Sequence, residues 1–158
     1  MTTAPQCNFE KDLLNIIYRQ MKKEDIEKVT PLFMEYWNST GDEWTTELVY
    51  RRVWQVLGGP DSYCLIAEHG ATPVGFAMGR LETFSDLTAY NLEEIIIAAK
   101  YHNHGVGSQM MKHLEQQVTA LGATMIQLKC VNDEMHQHFY GKLGFFDATN
   151  LRLKAKIL

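Results

Sequence analysis

The chain has 158 residues, 46% hydrophobic and 22% charged, enough apolar surface for a sizeable core and too much for a disordered or fibrous chain. A formal net charge of -4 supplies no general basic face for a nucleic-acid backbone. Residues 1–12 lack the basic and apolar regions of a secretory leader, and every apolar run is far shorter than the ~20 residues of a membrane helix. One domain over residues 1–158 is expected at this length. Cys7, Cys64 and Cys130 are widely spaced with no CxxC pair, which fits free thiols in a reducing, cytoplasmic setting.

Taken in order, residues 15–20 are rich in strand formers. From Asp25 onward Ile26, Val29, Leu32, Phe33 and Tyr36 recur at helical spacing, despite Pro31, up to a loop at 38–41. Thr45 or Thr46 caps a second helix carrying Leu48, Val49, Val53, Trp54 and Leu57, which stops at Gly58-Gly59-Pro60. Residues 63–67 and 74–78 are short apolar runs around a turn composition, hence an antiparallel hairpin. A third apolar run, 92–98, follows a polar connection over 84–91. A long helix from Val106 ends at Gly122, and 125–131 reads as a strand with Cys130 in the core. Asp133 caps a short helix that Gly144 terminates, and 151–153 closes the chain as a strand. The order implies an α/β fold, a mixed sheet with helices on its faces.

The strongest local signal is His102-Asn103-His104-Gly105-Val106-Gly107-Ser108, between an apolar strand and the longest helix. Glycines let the backbone approach a ligand, and a helix N-terminus offers unpaired N–H groups and a positive dipole end, which suit a pyrophosphate. Met110 stands where a dinucleotide fingerprint needs its third glycine, and Ser108-Gln109 replaces the Lys-Ser/Thr of a P-loop. A plain tight connection and an anion site both fit these residues.

Together with the strand Leu92-Glu93-Glu94-Ile95-Ile96-Ile97 and the later Phe139-Tyr140-Gly141-Lys142-Leu143-Gly144-Phe145, this turn resembles the GNAT superfamily of N-acetyltransferases, over most of the chain. Gly75-Phe76-Ala77-Met78, Leu92-Glu93-Glu94 and Phe139-Tyr140 are similar to its polyamine and thialysine branch. The resemblance implies the GNAT fold, with a mostly antiparallel central sheet. It also implies acetyl-CoA as co-substrate, its pyrophosphate on the amides of His102, Asn103, His104, Gly105, Val106, Gly107 and Ser108 and its pantetheine arm beside Ile95 and Ile97. Family members usually carry Arg or Gln where this chain has His102. Asp133 aligns with an asparagine that contacts the coenzyme arm, and Asn132 precedes it. Relatives often dimerise, so a homodimer is admitted.

Acetyl transfer to an amine needs a base, because an alkylamine of pKa near ~10.4 is protonated at neutral pH. Glu93 and Glu94 alternate on the strand and are expected on opposite faces, one toward the acceptor. By resemblance Glu93 is the water-mediated base and Tyr140 the acid that protonates the departing thiolate, a role open to a phenol still protonated at pH 7. Trp37, Asp42, Glu43, Asp86 and Glu94 are the acceptor candidates: two stretches with acids and no Lys or Arg favour a cation, and Tyr36, Trp37 and Trp44 add aromatic faces. His136 and His138, two apart on a helix, cannot share an ion, and no metal is expected. The acceptor reads as a small polyamine or diamine, with a peptide or protein amine, an aminoglycoside, or a non-catalytic CoA-binding module as alternatives.

Overall fold

The computed structural model describes the backbone from residue 4 to residue 158 and side chains from residue 9 onward. The elements in order are α1 (Ala4–Leu14), β1 (Ile16–Gln20), α2 (Asp25–Ser39), α3 (Thr46–Leu57), β2 (Ser62–His69), β3 (Thr72–Thr83), β4 (Thr88–Ile97), α4 (Val106–Ala120), β5 (Met125–Leu128) and α5 (Glu134–Lys142). The five strands form one sheet in sequence order, antiparallel except for the parallel β4–β5 pair.

Both faces of the sheet are covered, which is why its central strands read as continuous apolar runs rather than as alternations. On one face Cys64 and Ile66 of β2 meet Ile26, Val29 and Phe33 of α2 and Val49 and Val53 of α3. On the other, Leu65 and Ala67 meet Met110, Met111, Leu114 and Val118 of α4. Thr45 caps α3 by accepting from Leu48 N, and Asp133 caps α5, as their residue types predict. Gly122 and Gly144 take the positive φ that ends their helices.

The start of α2 is fixed by charge. Arg19 of β1 donates to Asp25 at 2.8 Å and to Glu68 of β2 at 2.9 Å, and Asp25 also accepts from Lys22 N at 2.7 Å. The guanidinium holds the buried Asp25 carboxyl down to about 2. This clamp sets the helix whose far end carries Tyr36 and Trp37 toward the cavity.

Four expectations need correction. Residues within 1–12, read as a polar start, include most of α1, from Ala4. The strand expected from Leu92 begins at Thr88, so the polar connection shrinks to 84–87, with Phe84 N donating to Leu87 O at 2.8 Å. β5 stops at Leu128, which leaves Cys130 exposed beyond the strand rather than in the core. Residues 151–153 form no strand and are exposed, and the outer edge of β5 is left unpaired. Cys7 lies outside the described side chains.

Candidate active site

The site begins where two parallel strands part. β4 and β5 pair from Ala89↔Met125 to Leu92↔Leu128; β4 then runs on to Ile97 while the other strand ends. Residues 93–97 therefore present an unpaired backbone edge on that side. A cavity of about 150 Å³ occupies the fork, with Glu93, Glu94 and Ile95 on one wall, Lys129 and Cys130 on another, and Tyr36, Trp37, His136 and Tyr140 closing it.

The two glutamates do not alternate. β3 and β4 pair Met78 with Glu94 but Gly79 with Leu92, so Glu93 is the extra residue of a β-bulge. The bulge breaks the strict two-residue period and puts both glutamates on the cavity wall. The expectation of opposite faces is corrected on that ground.

Their electrostatics differ. Glu93 Oε2 accepts from Arg52 of α3 at 3.3 Å. Desolvation pushes the Glu94 carboxyl up to about 7, against the opposing pull of Arg52 and of the Trp37 N–H, with Glu93 adding to the rise. Trp37 Nε1 is buried and makes no hydrogen bond of normal length among the described residues, so its effect on Glu94 acts from beyond bonding distance. Burial likewise raises the Tyr140 phenol well above its ordinary value, helped by Cys130, Glu94 and Tyr36, so it is a proton-bearing group at neutral pH. Its ring is held edge-on between Phe139 at 5.0 Å and Phe145 at 5.4 Å.

The glycine turn is built to leave donors open. A single 3-10 turn spans Ala99–Tyr101, and His102 donates Nε2–H to Ile97 O at 2.6 Å, tying the turn to the end of β4. Asn103 and Gly105 take positive φ, 60° and 79°. Gly105 caps α4 with no side-chain hydrogen bond. Gln109 N bonds Gly105 O at 3.0 Å, so the amides of Val106, Gly107 and Ser108, one turn earlier, have no carbonyl of their own helix to bond. His102, Asn103, His104 and Gly105 are exposed around them. Gly107 serves packing: a Cβ there would meet Phe139 Cε2 at 3.1 Å and Ile97 Cγ1 at 3.7 Å, so its lack of a side chain lets α5 close onto α4.

Of the predicted residues, the cavity brings together Glu93, Glu94, Ile95, Trp37 and Tyr140. Ile97 lies under the start of α4, and Asp133 begins α5. Asp42, Glu43 and Asp86 are exposed and do not line the cavity; Asp42 instead accepts from Trp44 Nε1 at 3.0 Å. Arg52 escaped notice because it sits 41 residues before Glu93 on another element. His136 was weighed only as a metal ligand, although its place four residues before Tyr140 puts both on one helix face. Among the described residues no cluster of three His, Cys, Asp or Glu could hold a metal ion.

Other proteins share the fold of this chain. In shape it is similar to an aminoglycoside N-acetyltransferase in complex with CoA, at a TM-score of 0.73 and 18% identity, over 89% of this chain and 94% of that one. A possible acetyltransferase from Clostridium difficile superposes at 0.78 with 11% identity, over 90% and 98%. An aminoglycoside acetyltransferase from an uncultured soil metagenomic sample, in complex with sisomicin, superposes at 0.73 with 12% identity, over 92% and 97%. At such identities the likeness establishes the fold. No curated protein matches the sequence. Residues 26–145, by contrast, match a sequence family from α2 to α5, with every residue that lines the cavity inside the match, and on that match the chain belongs to the acetyltransferase (GNAT) family.

Proposed function

We propose that the chain transfers the acetyl group of acetyl-CoA to a small primary amine, a polyamine or diamine, by direct transfer with both substrates bound. The observation that carries the reading is the pairing, in one cavity, of a carboxyl raised to about 7 with a phenol kept protonated. Those are the base and the acid the reaction needs at neutral pH.

The residues present fit the coenzyme: an uncapped helix start for its pyrophosphate and an unpaired strand edge, 93–97, for the amides of its arm. Bound there, the coenzyme supplies an acetyl thioester. Glu94 takes the proton of the acceptor ammonium, directly or through water, which frees the nitrogen lone pair for attack. Glu93 was expected in that role. Arg52 engages Glu93 at 3.3 Å, whereas Glu94 is the carboxyl raised to about 7, so we assign the base to Glu94. Tyr36 and Trp37 offer their aromatic faces to the entering cation. Tyr140 Oη–H gives its proton to the departing thiolate. The exposed Leu151, Leu153 and Ile157 favour association into a homodimer as a further part of the reading.

The test is a thermal-shift titration with acetyl-CoA, followed by thiol release with diamines, aminoglycosides and lysine peptides. Stabilisation at micromolar coenzyme with turnover of diamines is expected. Turnover of aminoglycosides or peptides alone overturns the substrate class. Stabilisation without turnover of any amine favours a binding module, and no stabilisation at millimolar coenzyme removes the reading altogether.

A further inference from the structure

We infer that the Asp133–His136 pair at the start of α5 is a proton relay that resupplies Tyr140. This inference rests on the acetyl-transfer reading of the same cavity. Asp133 Oδ1 accepts twice from one residue, from His136 N at 2.8 Å and from His136 Nδ1 at 2.7 Å. The Asp133 carboxyl is held below its ordinary value by those contacts and is an acceptor only. The hydrogen between the two side chains therefore belongs to His136 Nδ1, and Nε2 is the nitrogen left for exchange.

Placement gives that nitrogen something to do. The His136 ring is mostly buried, lines the fork cavity with Glu94 and Tyr140, and also lines the larger groove of about 1230 Å³ that opens along β5 and residues 143–151. With Leu128, Cys130 and Tyr140 it stands where the two meet, and among those four it is the side chain with a ring nitrogen to exchange a proton. Tyr140 follows one helical turn later on the same face. The other ionisable groups facing the cavity are Glu93, Glu94, Lys129, Cys130 and Tyr36, and Arg52 reaches Glu93.

The need for a relay follows from burial. Once Tyr140 has given its proton to the thiolate sulfur, a tyrosinate would be left where burial already disfavours the charged phenol. In the relay the S–H bond forms as the Tyr140 O–H bond breaks. The tyrosine O–H is remade from His136 Nε2–H, and the imidazole left behind, still donating Nδ1–H to Asp133, regains its proton from water in the outer groove. Glu94 removes one proton from the ammonium and, once that has gone to solvent, the second proton that the nitrogen sheds as the amide forms; two protons leave and one enters through His136, so the cycle closes with one proton on the thiol and one released net.

The test compares wild type, His136→Asn and His136→Ala by thiol release, with imidazole added. Asparagine can keep the donation to Asp133 and so protects the fold, but it cannot pass a proton. Both variants should lose at least about tenfold in kcat with the coenzyme KM unchanged, and added imidazole should restore part of the loss in His136→Ala. His136→Asn at the wild-type rate overturns the relay, as does a loss in His136→Ala that imidazole leaves untouched. Absence of acetyl transfer by wild type sinks the parent reading instead, so the two failures are distinguishable.

Discussion

Two helices of this molecule, α4 and α5, meet where Gly107 faces Phe139, and their starts treat charge in opposite ways. α4 begins at Gly105, in a left-handed conformation with no side chain to cap it. α5 begins at Asp133, extended at φ -134° and ψ 167°, whose carboxylate accepts from His136 N. Every helix start carries unpaired N–H groups and a partial positive charge. At α5 that charge is answered by a carboxylate; at α4 no capping side chain answers it. The cap residue decides whether a helix start is open to an anion, and the Phe139–Gly107 contact holds the body of α5 against the start of α4.

The comparison can be broken in order of size. No residue of the α4 start lines the cavity, so removing the cavity's base should stop chemistry and leave the α4 end alone: Glu94→Gln is expected to lose about a hundredfold or more in kcat with unchanged coenzyme affinity by calorimetry. The same variant carries a stability signature. Glu94 is raised from 4.5 to about 7 in the fold, so charging it disfavours folding as pH climbs through that window. Glu94→Gln should match wild type near pH 4 and unfold at higher temperature near pH 8.

Gly105→Asp gives α4 the kind of cap that α5 has. Coenzyme affinity should fall roughly tenfold or more, from the carboxylate's repulsion and the strain of a side chain at φ 79°. Gly107→Ala pushes Phe139 away from its 3.1 Å approach, and about 1 kcal/mol of stability with a few-fold rise in coenzyme KM is expected by thermal melts and kinetics. Asp133→Asn is the smallest: asparagine caps a helix as well as aspartate, so the melting temperature should barely move.

The sequence makes the helix boundaries legible because caps are local. Thr45, Asp133, Gly122 and Gly144 each act within one turn of chain, and each does what its residue type predicts. The glycine turn is legible for the same reason, although Gly107 proves to serve packing against an element more than 30 residues away. The bulge at Glu93 is a different matter. It is a one-residue slip between two strands, set by how Met78 and Gly79 pair, and no residue near Glu93 marks it. That slip hid the shared orientation of the glutamates, and the distance in sequence of Arg52 hid its contact with Glu93. The tail misleads in the opposite direction: Leu151, Arg152 and Leu153 alternate like a strand, but alternation states a preference and a ladder needs a partner.

The most direct test of the acetyl-transfer reading is the pH dependence of kcat/KM for a small diamine, measured by thiol release on wild type, Glu94→Gln and Glu93→Gln. Wild type and Glu93→Gln should both rise with pH through about 7 as the Glu94 carboxyl ionises, and Glu94→Gln should be slow and lack that limb. A Glu94→Gln enzyme that keeps both the wild-type rate and the limb would contradict the account.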